Sequence, residues 1–89
     1  MLTRTEAAEL VSTWQSAGDK VIFTNGCFDL LHRGHIEYLL SAAALGDKLI
    51  IGLNSDDSVK KLKGNGRPLQ SAVDRTAILQ ALTVVDTVV

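Results

Sequence analysis

The chemistry of this sequence is concentrated in one stretch, Thr24-Asn25-Gly26-Cys27-Phe28-Asp29-Leu30-Leu31-His32-Arg33-Gly34-His35. His32 and His35 are three positions apart, which at a helix entry sets two imidazoles on one side. Gly26 stands where the chain must turn sharply or approach a ligand closely. A helix opening near Arg33 and Gly34 would aim its free amides and the positive end of its dipole at a bound anion, and phosphate is the natural occupant. Gly34 lacks a Cβ and would let a phosphate oxygen lie against the first turn. Imidazole N–H groups would then donate to phosphoryl oxygens and meet charge that develops in a transition state. Two histidines could instead share a metal, but Cys27 is the only cysteine and the sequence has no third histidine, so no protein-held metal site is expected. The plainer alternative is that one histidine caps a helix and the other is solvated.

Other residues read two ways. Lys60, Lys61, Lys63 and Arg67 fall together with no acid among them, followed or flanked by the glycine loop Gly64-Asn65-Gly66. Such clusters are usually solvated, yet cations on a mobile loop also suit a triphosphate clamp. Asn54 and Asp56 follow an apolar run, where they could touch an acceptor, orient a cation or, for Asp56, cap a helix. Asp29 is expected to organise the turn and the histidines. Arg75, read from the residues alone, is a surface salt bridge. Cys27 reads as a small packing residue.

These residues need elements to hold them. Thr3 to Glu6 has the form of a capping box, and Leu10, Val11 and Trp14 continue at helical spacing until Gly18. That stripe makes Trp14 a packing residue. Lys20 to Thr24 is a β-rich run whose three consecutive apolar residues predict a strand covered on both faces. Ile36, Leu39, Leu40 and Ala43 predict a helix from Gly34 to Leu45, and Asp47 to Leu53 a second buried strand. Ser55 or Asp56 caps a third helix carrying Val59 and Leu62. Ser71 and Asp74 open a fourth, through Ile78, Leu79 and Leu82, and Asp86 to Val89 begins a third strand. Strands alternating with helices predict an α/β fold with a parallel sheet, in which ligands bind beyond the carboxyl ends of the strands.

Composition narrows the classes. The 89 residues make one domain at most, and 46% hydrophobic residues mark a globular chain. A net charge of −1 argues against a general nucleic-acid or membrane binder. Met1 to Leu10 has no apolar core of a leader, so a cytoplasmic location is expected.

The string from Thr24 to His35 resembles the signature of the HxGH cytidylyltransferase-like nucleotidyltransferases. Asn25-Gly26-Cys27-Phe28-Asp29, Asn54-Ser55-Asp56, and Leu62-Lys63-Gly64 with Arg67-Pro68 are similar to the branch that forms ADP-heptose for lipopolysaccharide cores. The resemblance runs over nearly the whole chain from Lys20. It implies a Rossmann-like three-layer α/β/α fold with the sheet truncated to three strands, a single nucleotidyltransferase domain over 1–89 that is incomplete at its C-terminus. It implies transfer of AMP from ATP to a sugar 1-phosphate (heptose 1-phosphate), with pyrophosphate leaving. His32, His35 and Lys63 would be catalytic, and Asn25, Gly26, Cys27, Phe28, Gly34, Lys60 and Arg67 would bind nucleotide or phosphate. Asp29, Asn54, Asp56 and Arg75 would support the substrate or the structure. Mg²⁺, held mainly through nucleotide phosphates, is the expected cofactor, with a homodimer and a sugar kinase domain or protein as expected partners. Family members continue past the third strand to an Ile-Ser-Ser-Thr motif that this sequence lacks, so the first strand is expected to form an exposed edge, its apolar residues uncovered on one side. Two other readings stand beside this one: a cytidylyltransferase acting on glycerol 3-phosphate or a related polyol phosphate, and a non-catalytic nucleotide-binding or assembly module.

Overall fold

The computed structural model describes the whole chain, Met1 to Val89. Helices α1 (Arg4–Ser16), α2 (Arg33–Ala43), α3 (Asp56–Lys63) and α4 (Ala72–Gln80) alternate with strands β1 (Val21–Gly26), β2 (Lys48–Leu53) and β3 (Thr87–Val88) in the order α1, β1, α2, β2, α3, α4, β3. The expected capping box is present: Thr3 Oγ1 accepts from the Glu6 amide at 3.1 Å and Glu6 Oε1 accepts from the Thr3 amide at 3.0 Å. An N-cap of this kind stabilises a helix by about 1 kcal/mol.

The strands are all parallel, ordered β1-β2-β3, with Val21 to Gly26 opposite Lys48 to Leu53 and Ile50-Ile51 opposite Thr87-Val88. Parallel neighbours require crossover connections; the crossover helices α2 and α4 share one face of the sheet and α1 lies on the other, which makes the three-layer α/β/α arrangement. Alternation along β2 divides its side chains between those faces. Leu49 and Ile51 join Leu39 of α2, Leu79 of α4, Val85, Val88 and Phe28 in one apolar core. Burying each of the larger side chains contributes roughly 1.5–3 kcal/mol. Lys48 points the other way, its Nζ 5.5 Å from the ring centroid of Trp14 on α1. Trp14 therefore packs as expected. No helix is long and apolar enough to cross a membrane.

The central strand is buried on both faces as predicted, but β1 is not. Phe23 is 61% exposed, because β1 is the free edge of the sheet and α1 leaves that part of it uncovered. Its ring lies over Gly52, where a Cβ would stand 2.6 Å from Phe23 Cζ. The edge and the uncovered side that the resemblance implies are thus real, and the cover on both faces that the apolar run alone suggests is corrected. Leu40 and Leu62, assigned to helix core faces, are also exposed. The helix α4 ends before Leu82, although Leu82 still packs against the core.

Candidate functional site

Between β1 and α2 the chain passes through two left-handed residues, Phe28 (φ 48°) and Leu30 (φ 63°). Non-glycine residues there carry strain of order 1–2 kcal/mol each, and persist only where the surroundings hold them. Gly26 makes the first possible: a Cβ on it would come within 2.9 Å of Phe28 Cε2, so only glycine lets the buried ring fold back over the strand end. The second is held from below by Asp29, whose side chain is fully buried. Its Oδ2 accepts from Arg67 Nε (2.7 Å) and the Leu69 amide (2.7 Å), and its Oδ1 from the Gln70 amide (2.9 Å). Burial alone would push this carboxyl up. The Leu69 amide, the Arg67 guanidinium and the Gln70 amide more than reverse that, so Asp29 sits below the ordinary carboxylate value and is ionised at neutral pH. Asp29 does organise the turn, but by fastening it to residues 67–70 and not by holding the histidines.

The histidines hold each other's turn. His32 is the N-cap of α2, and its Nδ1 accepts from the Gly34 amide at 3.0 Å. His35 Nδ1 accepts in return from the His32 amide at 3.1 Å. The rings lie 4.0 Å apart, centroid to centroid, and His35 also leans on Phe28 at 5.7 Å. A neutral imidazole that accepts at Nδ1 carries its proton on Nε2. Both rings therefore keep an Nε2–H free to donate outward. Burial, then the nearness of His32 and the Lys63 ammonium, push the His35 pKa below its ordinary value, which favours this neutral donor form. Capping and ligand donation are thus not alternatives, since each ring does one with each nitrogen. Gly34 is also explained differently from the sequence reading. Its Cβ would stand 2.9 Å from His32 Cε1, so the glycine clears the imidazole; its amide is taken by His32.

Cys27, Phe28, Asp29, Leu30, His32, His35, Lys63 and Arg67 line one crevice of about 400 Å³ at the carboxyl ends of the strands. Lys63 comes from the last turn of α3, which Gly64 ends with a φ of 97°. Arg67 is a third exposed and already paired with Asp29, so the aspartate's charge is spent on the arginine. What faces the crevice is two imidazole donors, an ammonium group and part of a guanidinium, with no free carboxylate. Such a surface binds a polyanion.

The other predicted residues lie elsewhere. Asn25 and Asn54 line a separate hollow of about 580 Å³ with Phe23, Gly52 and the start of α1. Asn54 Nδ2 donates to Ser58 Oγ at 3.0 Å. Lys60 is exposed and does not line the histidine crevice. Asp56 is not a cap: Ser55 Oγ fills that role, accepting from the Ser58 amide at 3.1 Å. Arg75 is neither a surface salt bridge nor at the crevice. It is wholly buried, and donates to Cys27 O, Asn54 O, Gln70 O and Asp56 Oδ1. Gln70 went unnoticed in the sequence, although its Oε1 also accepts from the Leu30 amide at 3.3 Å. No local pattern marks it, because its partners Leu30 and Asp29 lie 40 and 41 residues away in the chain.

A family model described as cytidylyltransferase-like matches residues 23–89. The bifunctional protein HldE of Wolinella succinogenes is 52% identical over 89 residues, which is 100% of this chain and 19% of that protein. Its counterpart in Helicobacter pylori is 56% identical over 81 residues, 91% of this chain and 18% of that protein. The chain thus spans about a fifth of the length of these curated relatives. A solved structure, the lipopolysaccharide core biosynthesis protein from Thermoplasma volcanium, matches with a TM-score of 0.72 at 35% identity, over 80% of this chain and 57% of that one.

Proposed function

The chain belongs to the cytidylyltransferase-like family, and on that premise we propose that its histidine crevice holds the phosphates of a nucleoside triphosphate during nucleotidyl transfer to a phosphate-bearing acceptor. The observation that carries this reading is the reciprocal cap, which leaves two Nε2–H donors in the crevice that Lys63 and Arg67 also line. Our specific reading is transfer of AMP from ATP to heptose 1-phosphate. It is supported by the likeness of Asn25 to Asp29 and of Lys63 to Pro68 to the ADP-heptose-forming branch. The description of the Thermoplasma volcanium protein, lipopolysaccharide core biosynthesis, is consistent with it.

In this reading an oxygen of the sugar 1-phosphate attacks the α-phosphorus in line. The bond from that phosphorus to the bridging oxygen breaks, and pyrophosphate leaves with the electron pair. The nucleophile is already ionised, so no general base is needed, and the crevice provides none. His32 and His35 donate to phosphoryl oxygens, and Lys63 meets the charge that builds on the leaving pyrophosphate. Gly26, Phe28 and Gly34 shape the cradle, and Arg67 adds a cation fixed in place by Asp29. With Asp29 fully engaged, the crevice suits Mg²⁺ held by the nucleotide phosphates and water; when bound, the ion neutralises phosphate charge. The longer relatives are described as bifunctional, which fits a kinase activity in the rest of such a protein.

The test is release of pyrophosphate from ATP and Mg²⁺ with heptose 1-phosphate, run beside CTP with glycerol 3-phosphate. Turnover in the first pair alone supports the adenylyltransferase. Turnover in the second alone assigns the chain to the cytidylyltransferases. ATP binding without turnover in either makes this chain a nucleotide-binding module.

A further inference from the structure

Arg75 has no exposed surface and does not itself line the histidine crevice, yet its guanidinium reaches three loops. Nη1 donates to Cys27 O at 2.7 Å, in the loop that carries the histidines, and to Asn54 O at 2.9 Å, in the loop after β2. Nε donates to Gln70 O at 3.1 Å, in the loop that follows Arg67. Nη2 pairs with Asp56 Oδ1 at 2.6 Å, on the first turn of α3. The segments that present His32 and His35 on one side, and Lys63 and Arg67 on the other, are thus joined through one buried cation. Asp29 joins the first and third of these loops a second time, through the Leu69 and Gln70 amides. A planar fork with five fixed donors can serve four acceptors in this fan, whereas an ammonium group on a flexible stem has three donors and no fixed plane.

We propose that Arg75 is a positioning residue, which sets the distance between the paired histidines and the Lys63–Arg67 side of the crevice without contacting the ligand. The ligand part of this inference rests on the phosphate reading above; the coupling of the loops does not. Removing the fork frees three carbonyls at once, so the loops open together while the sheet beneath them stays closed. Loose supporting groups of this kind lower ligand affinity without any contact being lost.

The experiment is amide hydrogen exchange on the full chain with Arg75→Lys and, as a milder variant in case lysine prevents folding, Asp56→Asn, which takes the charge from one of the four ties at a half-exposed carboxylate. The probes are the amides of Leu69, Gln70 and Asn54 in the loops, against Leu53 at the end of β2 and Val89, whose amide bonds Ile51 O of the sheet just beyond β3. Arg75→Lys is expected to speed exchange at the loop amides about tenfold relative to the sheet amides, and Asp56→Asn several-fold. Binding of inorganic pyrophosphate is expected to weaken in the same order, by about tenfold in Arg75→Lys. Uniform acceleration at every amide, or unchanged loop exchange, would overturn the proposal, since either means that Arg75 contributes only to global stability. If the unaltered chain binds no pyrophosphate, the phosphate reading falls, and the exchange pattern still decides whether Arg75 couples the loops.

Discussion

His35 Nδ1 accepts the amide hydrogen of His32, the residue whose own ring caps the helix on which His35 sits. This closed pair fixes the tautomer of both rings without any carboxylate partner. It therefore ties helix capping, proton placement and anion recognition to the same four-residue turn.

The first consequence concerns Gly34. A Cβ at this position would meet His32 Cε1 at 2.9 Å, so Gly34→Ala must turn the imidazole away and break its cap. Losing an N-cap costs about 1 kcal/mol, and replacing glycine by alanine in a helix returns up to about 1 kcal/mol. Stability should change by less than roughly 1 kcal/mol, while affinity for ATP falls at least about tenfold. Thermal unfolding and a nucleotide titration on the same sample check both halves. A folded variant with undiminished affinity would mean that the ring orientation of His32 is irrelevant to binding.

Asp29 should matter more to the fold than any residue of the histidine pair. Asp29→Asn leaves Arg67 without its counter-charge and takes one accepting oxygen from the Leu69 or Gln70 amide. Breaking a fully buried pair costs about 3–5 kcal/mol; Arg67 is partly solvated, so a loss of about 2–3 kcal/mol in urea unfolding is expected. A loss below about 0.5 kcal/mol, the size of an ordinary surface substitution, would contradict the structural role.

The pH dependence follows from His35. Its folded pKa lies below 6.5, so the unfolded chain takes up a proton that the folded chain resists. The stability contributed by neutral His35 is complete above pH 6.5 and is lost as pH falls through the lower folded value. Stability should therefore drop on acidification from neutral pH before the carboxylates titrate, and His35→Gln should flatten that part of the curve. An NMR titration of the ring Cε1–H reads the pKa directly. Added pyrophosphate should raise it, because an anion favours the charged ring.

How much of this was legible in the sequence depends on distance along the chain. The histidine pair, Gly26, and the caps at Thr3, Ser55 and Ser71 are local signals, and the structure has each in its expected element. The strand order has β1 at the edge, as the resemblance led one to expect. A supporting role was expected for Arg75, but not its partners: Cys27 and Asn54 lie 48 and 21 residues away, and no periodicity encodes a carbonyl acceptor. Asp29 was half legible: its role in the turn could be guessed, but not the partners 38 to 41 residues on. Leu40 and Leu62 fit helical stripes by spacing alone and are exposed, since a short helix on a small sheet buries only a narrow face.

The free edge of β1 carries its own expectation. Unpaired strand edges beside apolar side chains attract other strands. Self-association should rise with concentration in sedimentation experiments, and Phe23→Lys, at a position 61% exposed, should reduce it with little change in stability. Concentration-independent monomers would show that this edge does not pair between chains.

The central claim is that the Gly26–His35 turn binds the phosphates of a nucleotide. An NMR titration with ATP and Mg²⁺, following the amides of Gly26, Gly34 and His35, tests it most directly. Saturable shifts confined to that turn and to Lys63 and Arg67, abolished in His35→Ala, are predicted. Absence of any shift at about millimolar nucleotide, an affinity weaker than about −4 kcal/mol, would contradict the claim for this chain.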